Sequence, residues 1–318
     1  SYRYEHGHLA AGGVLLAGIA ERAGTPCYVY SADMIRDRFR AYDRALAAVP
    51  HTVCYAVKAN SNLAILKLLA GEGAGFDIVS AGELYRVLKA GGDPATIVFS
   101  GVGKTASEIE FALDRGIFGF NCESEAELAL IDALAARRGV KARVAVRVNP
   151  YVDASTHPYI SPGLRDHKFG IDIAEAEEVY ERARACRNLS LDSVSCHIGS
   201  QILDPAPVLQ AVDRVLELIE RLRARGFEIT HADLGGGLGV AYQAGQVTPS
   251  IEHYGSELAR RLAGRDLSVM IEPGRSIVGE AGVLLTRVLY RKRSGSKEFV
   301  VVDGAMNDLI RPSLYQAW

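Results

Sequence analysis

Eight short apolar runs, each followed by a longer amphipathic stretch, constrain this chain more than any other feature. The runs are Thr52–Lys58, Phe76–Ser80, Thr96–Ser100, Ile117–Asn121, Ala142–Asn149, Leu191–His197, Thr230–Leu234 and Leu267–Glu272. Their length and apolar content predict strands buried on both faces. The stretches between them carry helical periodicity, for example Leu63–Ala70, Glu123–Arg137, Pro207–Arg225 and Ile251–Leu262. Several stop at a glycine, among them Gly71, Gly116, Gly139 and Gly226, where helices commonly end. Thr105 with Glu108, and Ser124 after Glu123, read as N-terminal caps. Strand–helix alternation repeated eight times over about 220 residues matches the rhythm of an α/β fold of the (β/α)8 TIM-like barrel type. A doubly wound open sheet is the competing architecture.

The unusual polar residues gather at the C-terminal ends of the runs. They are Lys58, Asp77 to Ser80, Arg147 with Asn149, His197 to Ser200, Gly235 to Gly237, and Glu272 to Arg275. Barrels place their active sites at that face, which favours the barrel. The ends of the chain do not follow the rhythm. Residues 1–24 read as a strand or two, ahead of an extra helix at Ser31–Val49. After Arg275 the pattern turns β-rich, at Gly282–Arg293 and Glu298–Asp303. The expected division is a barrel over residues 25–275 and a second, mostly β domain built from 1–24 and 276–318. That domain looks unfinished, because two or three strands are marginal on their own.

Composition narrows the function classes. The chain has 318 residues, 48% hydrophobic and 23% charged, as an ordinary soluble enzyme does. A net charge of −2 gives no electrostatic reason to expect nucleic acid or an anionic membrane as partner. No run of about 18 uninterrupted apolar residues suggests a membrane span. The start, Ser-Tyr-Arg-Tyr-Glu-His, lacks a signal-peptide pattern and an initiating Met. Five scattered cysteines, Cys27, Cys54, Cys122, Cys186 and Cys196, have no CxxC spacing. They argue for reduced thiols in a cytoplasmic protein, with neither a disulfide framework nor a metal site.

Four elements carry chemistry. Lys58 ends the first apolar run, where an ammonium must be paired, depressed in pKa, or used covalently. Schiff-base chemistry uses the last two options, because an amine attacks a carbonyl only when neutral. A lysine snorkelling out of a strand end is the plain alternative. His197-Ile-Gly-Ser200 suits an imidazole stacked on a flat cofactor and a hydroxyl on its phosphate, or else a core histidine with a polar turn. In Asp233-Leu-Gly-Gly-Gly-Leu-Gly239, successive glycines allow backbone N–H groups to close on an anion, or form a turn without a ligand. Glu272-Pro-Gly-Arg275 offers a carboxylate able to hold a pyridine nitrogen protonated, or a structural salt bridge with Arg275. Two nucleotide-binding patterns fail: Tyr242 stands where a dinucleotide fingerprint needs its third glycine, and Val98 where a P-loop needs its first.

Together these elements are the parts of a pyridoxal phosphate site. Tyr55-Ala-Val-Lys-Ala-Asn60, Cys196-His-Ile-Gly-Ser-Gln201, Asp233-Leu-Gly-Gly-Gly-Leu-Gly239 and Glu272-Pro-Gly-Arg-Ser276 resemble the fold-type III pyridoxal phosphate-dependent decarboxylases. Val98–Thr105, Thr156–Ile160, Lys168–Ile171 and Asp303–Pro312 are similar to the bacterial diaminopimelate decarboxylase family within that group. The resemblance implies decarboxylation of meso-2,6-diaminoheptanedioate to L-lysine and CO2 with pyridoxal 5'-phosphate. It implies Lys58 as covalent anchor, His197 stacked on the ring, and Ser200 with Gly235, Gly236 and Gly237 on the phosphate. Glu272 would face the ring nitrogen, with Pro273, Gly274 and Arg275 bordering the cofactor. Arg275, Arg311 and Tyr315 would bind substrate carboxylates. The family's chain continues past the segment matching Leu314–Trp318, supplying a cysteine to a partner's site in a homodimer. The chain is thus expected to hold the cofactor half of the site. A sister decarboxylase acting on another amino acid, or a non-catalytic pyridoxal phosphate-binding homologue, are the rival readings.

Overall fold

The structure is a computed structural model and describes residues 2–152, 169–243 and 245–315, the side chain of Tyr315 excepted. Its central sheet contains eight parallel strands: β1 (His51–Ala56), β2 (Gly75–Ile78), β3 (Ile97–Phe99), β4 (Gly119–Cys122), β5 (Ala142–Asn149), β6 (Leu189–Cys196), β7 (His231–Asp233) and β8 (Ser268–Ile271). Each pairs with the next, and β8 returns to β1 through Met270 opposite Thr52, which closes the barrel. Closure rules out the open doubly wound sheet. Around it run α1 (Ala32–Leu46), α2 (Leu63–Gly71), α3 (Ala81–Lys89), α4 (Ala106–Arg115), α5 (Glu125–Arg138), α6 (Ala176–Ala183), α7 (Ala206–Ala224) and α8 (Ile251–Leu262). The extra helix before the first strand, α1, packs between α8 and α2 and so completes the ring.

Residues alternate along each strand between two environments. Outward-facing Val53, Tyr55, Phe76, Ile78, Phe99, Val144 and Val269 join one large core beneath the helices. Each such fully buried side chain contributes about 1.5–3 kcal/mol, so this layer carries most of the fold's stability. Cys54, Val98 and Met270 form a separate small cluster, the apolar part of the barrel interior. Asp77, Ser100, Asn121, Ser193, Ser195, Asp233 and Glu272 are buried polar residues at or near the strand ends. A small apolar plug therefore lies in series with a polar layer.

Local signals fix the helix ends as expected. Thr105 and Glu108 form a reciprocal capping box on α4, and the Ser124 hydroxyl accepts from Glu127 N–H on α5. Gly116 and Gly139 adopt left-handed φ of 63° and 64° at the ends of α4 and α5. The first strand stops at Ala56, and Lys58 sits in the following turn of 3-10 helix, Val57–Ala59. Within the barrel sheet, one short strand among the described residues escapes the sequence reading, as Cys27–Tyr30 does outside it. Ile171–Asp172 pairs with Val148 and Asn149, beyond the point where β4 has ended beside β5.

Outside the barrel lie Tyr2–Glu5, His8–Ala11 and Val14–Leu15 as a small antiparallel sheet, then a helix at Leu16–Ala23. Cys27–Tyr30 pairs antiparallel with Gly282–Leu285, and Val288–Ser294 pairs with Lys297–Val302. Side chains join the two ends: the Tyr2 hydroxyl bonds the carbonyls of Val29 and Ala281, and Thr25 Oγ1 donates to Asp303 at 2.5 Å. We propose that 1–24 and 276–318 make one β unit beside the barrel at 25–275, with Cys27–Tyr30 as the strand that spans both.

Gly75 shows how narrow the interior is. A Cβ there would lie 2.7 Å from the Thr96 carbonyl and 2.8 Å from Cys54 Sγ. Gly75→Ala should cost about 1–3 kcal/mol, read as a lower denaturation midpoint. An unchanged midpoint would mean that the strands can spread apart at little cost.

Candidate active site

The site is built at the C-terminal mouth of the barrel. The Tyr55 hydroxyl donates to the Asn60 carbonyl at 3.1 Å, which fixes the turn carrying Lys58. The Lys58 side chain is 46% exposed, while its ammonium meets Asp77 Oδ2 at 2.5 Å. Asp77 itself is fully buried, and its Oδ1 has no partner among the described residues. Burial works to lower the Lys58 pKa, but the carboxyls of Asp77 and Glu272 outweigh it and hold the ammonium above its ordinary range. Lys58 is thus a paired cation, the first of the three options open to it.

Glu272 follows β8 and is buried. Ser100 Oγ and Asn121 Nδ2 each lie 3.4 Å from its Oε1. Burial and the nearby carboxyls of Asp233 and Asp77 push its pKa well up. The alternative reading of Glu272, a structural salt bridge with Arg275, does not hold. Arg275 instead donates to the Tyr242 hydroxyl at 2.7 Å. Pro273 accepts a hydrogen bond from Ala56 N–H, and a Cβ on Gly274 would lie 3.1 Å from those of Ala56 and Ala59. The loop bearing Glu272 is thereby fastened to the turn bearing Lys58.

The glycine loop after β7 has a second constraint that the sequence does not reveal. A Cβ on Gly236 would fall 2.1 Å from the Glu272 carbonyl, and one on Gly237 2.4 Å from that of Gly199. These residues must be glycine for packing alone. Two amides are also occupied: Gly235 N–H donates to Asp233 Oδ1, and Gly236 N–H to His197 Nδ1 at 3.2 Å. An accepting Nδ1 leaves the ring proton on Nε2. Burial, helped by the charges of Arg147 and Lys58, drives the His197 pKa well down, so the ring is neutral.

Residues outside the expected set hold these parts in place. Gln201, at φ 62°, donates to the Val240 carbonyl and accepts from Val240 N–H. It clamps the Ser200 turn to the glycine loop, which Ile202 N–H also joins through the Gly237 carbonyl. Arg147 pairs with buried Glu123 at 2.7 Å and reaches the His197 carbonyl. The Lys104 ammonium, almost wholly buried, binds Glu127 and the carbonyls of Gly101 and Asn121. A charge embedded in or beside an apolar run was the available signal for Asp77, Asp233 and Arg147. Arg311 lies over the Tyr242 ring, 5.1 Å from its centroid, so Tyr242 brings Arg275 and Arg311 together. The Tyr315 side chain, the Thr156–Ile160 segment and Lys168 lie outside the described residues.

Comparison with known proteins decides the family. The profile described as pyridoxal-dependent decarboxylase, pyridoxal binding domain, matches residues 32–279. The chain belongs to that family. It is 57% identical over 318 residues to the diaminopimelate decarboxylase of Pseudomonas aeruginosa, covering 100% of this chain and 76% of that protein. The corresponding protein of Vibrio cholerae is 52% identical over 315 residues, 99% of this chain and 75% of the relative. A diaminopimelate decarboxylase structure from M. jannaschii with L-lysine has a TM-score of 0.93 at 35% identity, covering 100% of this chain and 76% of that one. The Helicobacter pylori enzyme complexed with L-lysine gives 0.90 at 46%, covering 95% and 76%. The family's cofactor is pyridoxal 5'-phosphate, and the residues fit it. A reachable amine, a buried acid, a flat neutral imidazole and a close-packed glycine loop share one mouth.

A pH dependence follows from His197. Its folded pKa lies below the unfolded value, so the unfolded chain binds the extra proton as pH falls below about 6.5. Stability should drop there by at most about 1.4 kcal/mol per pH unit from this group. His231, lowered chiefly by burial and then by Arg143, adds a smaller loss of the same sign. His197→Gln should flatten the acid side of a midpoint-versus-pH curve. A variant with the parental slope would show that His197 is not held neutral.

Proposed function

We propose that this chain is a carboxy-lyase that converts meso-2,6-diaminoheptanedioate to L-lysine and CO2 in lysine biosynthesis. The observation that carries this reading is Lys58 paired with buried Asp77 at the barrel mouth, with Glu272 buried nearby. The relatives bound to L-lysine, the product, support the choice of substrate. When bound, the cofactor supplies a conjugated electron sink for the electron pair left as CO2 departs.

The protein's own residues do the rest. Lys58 is the covalent anchor, and Asp77 is placed to take the proton that its amine must lose to become nucleophilic. His197 offers the face of a neutral ring for stacking. Ser200 and the Gly235–Gly237 loop would hold the phosphate, and Glu272 would serve the ring nitrogen. Pro273, Gly274 and Arg275 border the cofactor. Arg275 and Arg311, gathered by Tyr242 and joined by Tyr315, bind carboxylates. Two guanidinium groups suit a substrate with two carboxylates, and fixing those carboxylates would orient the Cα bond to be broken. A homodimer with a shared site, working in the cytoplasm, completes the proposal. Free Cys27, Cys54, Cys122, Cys186 and Cys196 accord with a reducing compartment. Among the described residues no helix is long and apolar enough to cross a membrane.

Borohydride reduction of the cofactor-loaded protein should place the label on the Lys58 peptide. A label on another lysine would sink the assignment. Measured CO2 release should favour meso-2,6-diaminoheptanedioate over lysine, ornithine and arginine, and a preference for a monocarboxylic substrate would overturn the substrate. Glu272→Gln should retain bound cofactor by absorbance yet lose turnover on the order of 100-fold. Near-parental turnover would reduce Glu272 to a structural role.

A further inference from the structure

Glu272 shares its buried pocket with a second acid that the reading above leaves unused. Asp233, at the end of β7, is only 4% exposed. Its Oδ1 accepts from Gly235 N–H at 3.0 Å and its Oδ2 from Asn121 Nδ2 at 2.8 Å. The same Asn121 nitrogen lies 3.4 Å from Glu272 Oε1. Two carboxyls thus converge on one amide group inside the barrel. We propose that Asp233 is a positioning residue that holds Glu272 protonated, the two acids sharing one proton and bearing a single negative charge.

The hydrogen bonds say which acid keeps the proton. Asp233 receives two short donors, which favour its charged form, whereas the donors near Glu272 sit at 3.4 Å. Glu272 is therefore the acid that donates, and Asp233 the carboxylate that accepts. Burial raises both groups, with Asp77 repelling each, while bonds from Glu272, Asn121 and Gly235 pull Asp233 back.

The surrounding charges compensate the pair only in part: Lys58 attracts Glu272 and pulls its pKa down, but burial with Asp233 and Asp77 outweighs that pull. The Lys58 ammonium is engaged by Asp77, and the Arg147 guanidinium by Glu123. His197 is neutral, and the buried thiols of Cys54 and Cys196 are pushed up and neutral as well. Two adjacent buried carboxylates that share one amide donor, with Lys58 bonded to Asp77 and Arg147 to Glu123, ionise together only at high cost, so the pair titrates as one unit.

The placement has a consequence for the cofactor, which rests on the pyridoxal phosphate reading. Asp233 touches the glycine loop through Gly235 N–H and the ring-nitrogen acid through their shared proton. It links the phosphate end of the site to the ring end. A proton is already stored beside the position of the ring nitrogen before the cofactor arrives.

Infrared spectroscopy of the cofactor-free chain, with carbon-13 carboxyl labels in glutamate or aspartate separately, tests the protonation directly. At neutral pH a protonated carboxyl band should appear with the glutamate label and be lost in Glu272→Gln. In Asp233→Asn, which keeps an acceptor for Gly235, the titration midpoint of that band should fall by at least about one pH unit. Absence of the band in the parent chain, or an unmoved midpoint in Asp233→Asn, overturns the proposal. Should that variant not fold by circular dichroism, Asn121→Ala decides. Losing a donor from Asp233 should transfer part of the band to the aspartate label, and an unchanged spectrum overturns the proposal. Cofactor uptake, followed by absorbance of added pyridoxal 5'-phosphate, is a separate measurement. Its failure would count against the functional reading and leave the infrared result standing.

Discussion

Burying acids inside an eight-stranded barrel is the constraint on which the rest of the structure depends. Two unit charges about 4 Å apart repel by about 4 kcal/mol at an effective dielectric near 20. Asp77, Asp233 and Glu272 are all buried at this mouth. The fold meets the cost with one ammonium, one amide and one backbone N–H: Lys58 on Asp77, and Asn121 with Gly235 on Asp233. Those partners come from the turn after β1, from β4 and from the loop after β7. The polar layer exists only when the barrel is closed, which makes the site a test of correct folding as well as a place for chemistry.

Precision at the mouth comes from loops fastened to each other. The Ala56–Pro273 bond joins the first and last loops, and Glu272 N–H donates to the Gly235 carbonyl at 2.7 Å. Gln201 and Ile202 join the sixth loop to the seventh. Gly235 and Gly236 lie so close to neighbouring backbone that the glycine loop has little room to shift. Such interlocking supplies the fixed geometry that positional catalysis needs.

Much of this was legible in the sequence. Strands buried on both faces must be nearly continuous in apolar residues, so eight of them stood out against amphipathic helices. Lys58, His197 and Glu272 were visible because a polar group ending an apolar run needs a reason. Asp77 and Asp233 carried the same kind of signal, but their partners did not. Asn121 is 112 residues from Asp233, and only closure of the barrel brings them together. The glycine loop was read for one constraint, room for an anion, when the structure imposes another, proximity to neighbouring backbone. Ile171–Asp172 was missed because two residues are too few to show a period. Tyr242 was read only as the residue that breaks a nucleotide fingerprint. Its role as a hub arises only where the fold brings Arg275 and Arg311 to its ring.

That hub joins the barrel to the chain outside it. Arg275 follows β8, whereas Arg311 belongs to the short helix Arg311–Tyr315 beyond the barrel. Both guanidinium groups lie within 5.7 Å of the Tyr242 ring centroid, and Arg275 also binds its hydroxyl. The electron-rich face of the ring softens the repulsion between two cations but does not neutralise them. An arriving carboxylate does, and a charge-assisted pair with arginine is the stronger for being partly withdrawn from water. In the proposed reading, then, the substrate's carboxylates are bound by residues from both parts of the chain. In that reading the segment after residue 275 takes part in the chemistry of the site, because Arg311 supplies one of the two positive charges beside Tyr242.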